Sequence, residues 1–279
     1  MKGAHVEVLA GSDERYVIAG GSGRLANAIA DAHRDRIETG RRLLAIRETG
    51  SGIRLEFLDG TPVIADTVIV AAPAPILRQI DFAVPLSPRW RAFVREADLG
   101  RNEKVQVTAT ATPWADALGT GGELWDIASP YALGWDGTLR GIEGGKPVWN
   151  WFLGGDQVSA ATASPEALAA AFAQRTEPAI PGIVRAVAGG VVRRTNWCRD
   201  ALTLGAYTNS APGQLTRFGS LFWVESGDSA ERQQAVAGRI IFAGEHVSDA
   251  WVGFMNGGAQ TGRLAAQAVI TARAGRRAA

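Results

Sequence analysis

Apolar and polar positions along the chain change period several times, and each change marks an element. "RYVIAGGSGRLANAIADAHRDR" passes from a β-rich start through glycines into helical spacing, with Leu25, Ile29 and Ala32 on one face. Alternation then predicts strands in "RRLLAIRE", "GIRLEFLDG" and "VIADTVIVAAP". Turn residues at Gly50–Gly52 and Asp59–Pro62 make "SGIRLEFLDGTPVIADTVIVAA" a meander. Pro73, Pro75, Pro85 and Pro88 punctuate a crossing into a second region. There "NEKVQVTAT" and "KPVWNWFLGG" read as strands. "SPEALAAAFAQRTEP" predicts a helix with Ser164 as N-cap, Pro165 in its first turn and Pro178 past its end. Beyond residue 238, "GRIIFAGEH" reads as a buried strand closed by a glycine turn, with a helix beginning near Asn256.

Composition changes this outline in one respect. Seven of the nine tryptophans lie between Trp90 and Trp197, so the second region either fills a core with them or walls an apolar cavity. The result is two discontinuous lobes, one aromatic and one an α/β layer of the cofactor-binding kind. With 279 residues there is material for one large or two modest domains. A net charge of +1 gives no field that would draw nucleic acid or a membrane surface. The basic end "RAGRRAA" reads as a solvated helix terminus. One cysteine, Cys198, excludes an internal disulfide and a cysteine metal cluster, and suits a reducing cytoplasm. His5, His33 and His246 lack metal-ligand spacing. The first residues have no apolar core of the signal-peptide kind, and no run approaches the ~20 apolar residues of a membrane span. A soluble, cytoplasmic protein without metal is expected.

The chemistry concentrates in "FAGEHVSDAWVGFMNGGAQTG", Phe242–Gly262. Ile240–Ala243 leads into Gly244, which permits a turn other residues resist. The next helix carries Gly257, Gly258, Ala259 and Gly262 near its start, leaving bare N–H groups with a partial positive charge. Two readings fit equally: a seat for a phosphate or an electron-rich ring, or tight helix–sheet packing.

"GRIIFAGEH…WVGFMNGGAQTGRLAA" resembles the C-terminal FAD motif of flavin-containing amine oxidases, the monoamine oxidase and L-amino-acid oxidase family. Other segments follow in that family's order. "ERYVIAGGSGRLANAIADAHRDRI" is similar to its central glycine–helix segment, "RRLLAI" to an adenine-contacting strand, and "DGTPVIADTVIVAAPAPILRQIDFAVPL" to the return strand and exit to the substrate domain. "LGRNEKVQVTATATPW" is similar to the segment with a flavin-facing lysine, and "TNWCRDALTLGAYTNSAPGQ" to the one with a flavin-contacting tryptophan and a cage tyrosine.

The resemblance implies a mixed α/β fold: a partial FAD-binding, Rossmann-like domain from 1–82 and 214–279, and a mixed-sheet substrate domain with flanking helices from 83–213. It implies cofactor contacts at Leu43, Trp197, Gly244, Glu245, Trp251, Gly253, Phe254 and Met255. Lys104 would hold a water toward the flavin and help reoxidation; a strand lysine facing solvent is the alternative. Tyr207 and Phe254 would form two aromatic walls, the phenylalanine departing from the commoner tyrosine. Ala206 stands where monoamine oxidases carry the flavin-linked cysteine, so FAD is expected to be noncovalent. Glu245–His246 would orient the turn and meet cofactor phosphate or ribityl groups, not act as acid and base. Cys198 reads as an ordinary buried thiol.

The resemblance further implies oxidation of an amine or amino acid to an imine with O2 reduced to peroxide. The family's opening G-x-G-x-x-G strand–turn–helix has no counterpart, since "AGGSG" at Ala19–Gly23 lacks the spacing. A partner chain bearing that half is therefore expected. The alternatives are a noncatalytic remnant or partner of the same fold, and a desaturase or protoporphyrinogen-oxidase-like enzyme.

Overall fold

The computed structural model describes residues 16–119, 122–126, 130–139 and 144–278. His5 and the opening "ER" of the glycine–helix segment lie outside them. Tyr16–Ile18 is exposed and lies in no strand, because no described strand pairs with it. Helix α1 (Gly23–Ala32) forms where the spacing places it, yet none of its residues is buried. Its apolar face, Leu25 and Ile29, stands in solvent.

The meander follows as β1 (Leu43–Glu48), β2 (Ile53–Phe57) and β3 (Val63–Ala65), antiparallel in turn. "VIADTVIVAAP" is thus two strands, not one. After Ala65 the chain turns, Arg239 Nη1 donates to the Asp66 carbonyl, and β4 (Val68–Val70) pairs in parallel with a strand far along the chain. The crossing that the prolines mark contains α2 (Ala74–Leu77), β5 (Asp81–Ala83), parallel to β1, and α3 (Pro88–Glu96). Pro88 begins that last helix, and Ser87 Oγ caps it by accepting from Trp90 N–H.

The aromatic region comprises β6 (Asn102–Thr108), α4 (Pro113–Leu118), β7 (Glu123–Trp125), β8 (Leu133–Asp136), β9 (Val148–Gly154), α5 (Asp156–Ala160), α6 (Pro165–Thr176), α7 (Ile183–Val187) and β10 (Val192–Arg194). Its antiparallel sheet runs in the order β10-β6-β9-β8-β7. Ser164 caps α6, accepting from Ala167 N–H. Trp114, Trp149, Trp151, Tyr131 and Phe172 are buried between sheet and helices, and Trp151 Nε1 donates to Thr176 Oγ1 at 3.0 Å. On β6, Glu103 faces this core. Arg194 of β10 neutralises it at 2.6 Å while donating to the Ala161 carbonyl, which makes the burial of the charge tolerable.

The chain returns through α8 (Gln214–Phe218), β11 (Val236–Ala237), β12 (Ile240–Phe242) and α9 (Met255–Ala278). The third sheet, β11-β12-β4, joins the two ends of the first lobe. Trp90 stacks on Phe242 at 4.3 Å and 17°, and Trp223 Nε1 donates to the Phe242 carbonyl, so the lobe has its own core. Val68 and Val70 spend their ladder groups on the β12 side. Alternation in a parallel ladder therefore turns the Ile69 N–H and C=O toward the opposite edge, where no described strand pairs. Among the described residues no helix is long and apolar enough to cross a membrane.

Candidate flavin-facing site

Strands β4 and β12 run side by side in the same direction, and both end at one cavity of about 290 Å³. Ala71 and Pro73 follow β4, Gly244–His246 follow β12, and Trp197, Gly205, Ala206 and Tyr207 close the far side. The crevice beyond the carboxyl ends of parallel strands is where open α/β sheets receive ligands.

Gly244 turns the chain with φ +132°, and a Cβ there would lie 2.5 Å from the His246 ring. Its N–H donates to Thr261 Oγ1, which lies 2.7 Å from the Gly257 carbonyl, so the turn is stitched to the first turns of α9. Glu245 is the organising side chain. Oε1 accepts from the Thr208 N–H and hydroxyl at 3.0 and 2.6 Å, and Oε2 accepts from Gly253 N–H at 2.6 Å. His246 is buried against Phe93, with rings 6.2 Å apart, and its Nε2 has no partner. Burial pushes its imidazole from 6.5 down to about 4, against the pull of Glu245, and leaves it neutral at pH 7.

The glycines at the start of α9 divide between the two readings. A Cβ on Gly257 would meet the Trp251 carbonyl at 2.3 Å, so packing requires that glycine. Gly258 and Gly262 have nothing within 4 Å and leave open backbone. Gly253, at φ +83°, lies under the Tyr207 ring, whose Cδ2 would be 3.0 Å from an added Cβ.

Trp197, Tyr207, Gly244 and Glu245 thus share one cavity. Ala206 also lines it, pinned by Gly100 O and Asn102 Nδ2. Phe254 and Trp251 meet edge to face at 6.4 Å beside Gly253, and Met255 opens α9, largely exposed. Trp251, Gly253, Phe254 and Met255 adjoin the cavity through the Gly253–Tyr207 contact without lining it, and Lys104 and Leu43 do not line it either. Lys104 points its Nζ over the Trp135 ring, 5.3 Å from the centroid, in a cation–π contact. Leu43 sits on β1, packed against the first core. Cys198 is half-buried, not buried, because it packs only on the rim of the aromatic core; burial still pushes its thiol upward. Thr208, Thr261 and Leu204 escaped the sequence reading. Leu204 holds φ +58° beside the cavity, a left-handed geometry costly for a branched side chain. Thr261 had a readable signal, a mid-helix threonine four residues after glycine that back-bonds to the helix.

The shape suits a flavin: a glycine-turned cradle at the end of a parallel strand, open space beside Gly258 and Gly262 on α9, and half-exposed aromatics at Trp197 and Tyr207. Among the described residues no cluster of His, Cys, Asp and Glu could hold a metal.

The sequence matches the family model for flavin containing amine oxidoreductase over residues 2–270. It is 26% identical over 265 residues to flavin-containing amine oxidase B of Bos taurus, covering 94% of this chain and 48% of that protein. Nicotine dehydrogenase of Pseudomonas putida (strain DSM 28022 / S16) is 24% identical over 262 residues, covering 92% and 48%. Cyclohexylamine oxidase from Brevibacterium oxydans IH-35A superposes with TM-score 0.75 at 25% identity, covering 89% of this chain and 52% of that one. Putrescine oxidase shares the fold with TM-score 0.73 at 20% identity, covering 90% and 53%. The chain spans about half the length of the curated relatives it matches.

Proposed function

Because the chain belongs to the flavin-containing amine oxidoreductase family, we propose that it forms the flavin-facing and amine-facing portion of an FAD-dependent amine oxidase. The reaction converts a primary or secondary amine, or an amino acid, and O2 into an imine and H2O2, two electrons and two protons leaving the C–N unit. FAD supplies the two-electron acceptor for that chemistry. One observation carries the reading: Trp197, Tyr207, Gly244 and Glu245, distant in sequence, converge where parallel β4 and β12 end.

Gly244, Glu245, Trp251, Gly253, Phe254, Met255 and Trp197 would hold the cofactor, with the backbone near Leu43 at its adenine end. Ala206 offers no sulfur, so binding is noncovalent. The N-terminal end of α9 would favour an electron-rich ring through its partial positive charge. Tyr207 and Phe254 orient the amine as aromatic walls, and the phenylalanine does so without a hydroxyl. Lys104 serves the reaction with O2. The half of the relatives' length not spanned here carries the glycine-rich pyrophosphate site, on a separate chain or on a longer form of this one. The open edge of β4 and the exposed face of α1 are the surfaces it would cover.

A second reading, a dehydrogenase that passes electrons to an acceptor other than O2, is favoured by the position of Lys104 over Trp135, away from the cavity. Visible spectroscopy of the complemented protein separates the two. Flavin bands that bleach with an amine panel and return with O2, releasing peroxide, support the oxidase. Bleaching without return supports the dehydrogenase, and a colourless protein defeats both. Lys104→Met should slow the return with O2; an unchanged rate removes Lys104 from the reaction.

A further inference from the structure

We propose that Glu245 is a positioning residue that sets the gap between the two aromatic walls, an inference that rests on the amine-oxidase reading for what passes between them. Tyr207 and Phe254 lie on separate segments, one entering from the aromatic lobe and one preceding α9. No described hydrogen bond joins Tyr207 directly to Phe254. The carboxylate of Glu245 joins their immediate neighbours: Oε1 takes the N–H and hydroxyl of Thr208, and Oε2 takes the N–H of Gly253. The Tyr207 ring lies against the bare Cα of Gly253, so the two segments touch as well as share the clamp.

A carboxylate offers about four lone-pair sites. Three are engaged by this chain's own donors. The side chain is thus committed mainly to the protein. Its negative charge also opposes a neighbouring phosphate. Glu245 itself is carried on the turn after β12, whose Gly244 N–H is bonded to α9 through Thr261. Strand end, helix start and the Tyr207 loop therefore move as one piece, with the carboxylate as the hinge pin.

Glu245→Gln is the discriminating change. An amide keeps one acceptor and presents a donor on the other side, so whichever way it lies, one segment faces donor to donor. Amide hydrogen exchange on the complemented protein, with and without flavin, should show either Gly253 or Thr208 losing protection about tenfold while the other keeps it. Glu245→Ala should release both. In the loaded enzyme, with rates normalised to bound flavin, Glu245→Gln should raise KM for amines about tenfold, more than it lowers kcat, as expected when orientation and not chemistry is chiefly disturbed. Unchanged protection at both amides in Glu245→Gln overturns the clamp, and that readout requires no turnover. A fall in kcat at constant KM overturns the positioning role even if the clamp exists. Absence of amine oxidation in the unsubstituted protein would defeat the functional reading while leaving the exchange result to decide the clamp. If Glu245→Ala does not fold, Glu245→Asp, one methylene too short to reach both segments, replaces it.

Discussion

The two cores of this molecule differ in where their surfaces end. In the aromatic lobe, Trp114, Trp149, Trp151, Tyr131 and Phe172 are at most 2% exposed, enclosed by a sheet and helices drawn from one continuous stretch. Trp125 on the edge strand β7, and Trp197 and Tyr207 beside the cavity, are left outside. The α/β lobe also buries a core, around Ile46, Phe82, Trp90 and Phe242. Yet Leu25, Ile29 and Ile69 stand 50%, 58% and 41% exposed at its margin. A lobe built from consecutive elements encloses its core from all sides and leaves apolar residues outside chiefly at its edge strands and beside the cavity. One assembled from two distant segments buries only what those segments bring, and the remaining apolar surface faces outward.

Substitution inside the aromatic core should have the largest effect. Trp151→Ala removes a fully buried ring and its bond to Thr176, and should cost about 4 kcal/mol in chemical denaturation. A cost below about 1 kcal/mol would mean this core is not the self-sufficient one. The next largest effect is pH-dependent and belongs to the other lobe. The folded His246 titrates at about 4 against 6.5 unfolded, so below 6.5 the unfolded chain binds the extra proton. Stability is complete above about pH 6.5 and declines by about 3 kcal/mol as pH falls toward 4. His246→Phe should flatten that decline in denaturation midpoints; an equal decline in the variant assigns it to other groups. The smallest effect is expected at the open margin. Leu25→Asp with Ile29→Asp should alter the stability of this chain by no more than about 0.5 kcal/mol per site, and should weaken association with the complementary half proposed above. A much larger loss of stability would show that α1 is packed after all, and the contrast between the lobes would fail.

Elements whose signals are local were legible in the sequence. Ser164 and Pro165 announce α6 because capping and the N-terminal preference of proline act within one turn. The β1–β2–β3 meander follows from alternation and turn glycines. The departure of β4 was not legible, because its partner, β12, lies some 170 residues onward and the run itself stays apolar. Tyr16–Ile18 has strand composition but no strand to join. At the site, the glycine turn and the aromatic residues could be read from residue types. The bonds from Glu245 to Thr208 and Gly253 could not, since nothing local marks a threonine after a tyrosine as the target of a distant carboxylate.

The outer side of β4 has a consequence for how this polypeptide must be made. A three-residue apolar strand whose central Ile69 turns its N–H and C=O outward offers a short docking edge to an extended segment, including its own copies. Order of encounter then decides the outcome. If the complementary half proposed above is present as the chain folds, the edge becomes an interior seam; if the chain folds alone and concentrated, the edge becomes a template for self-association.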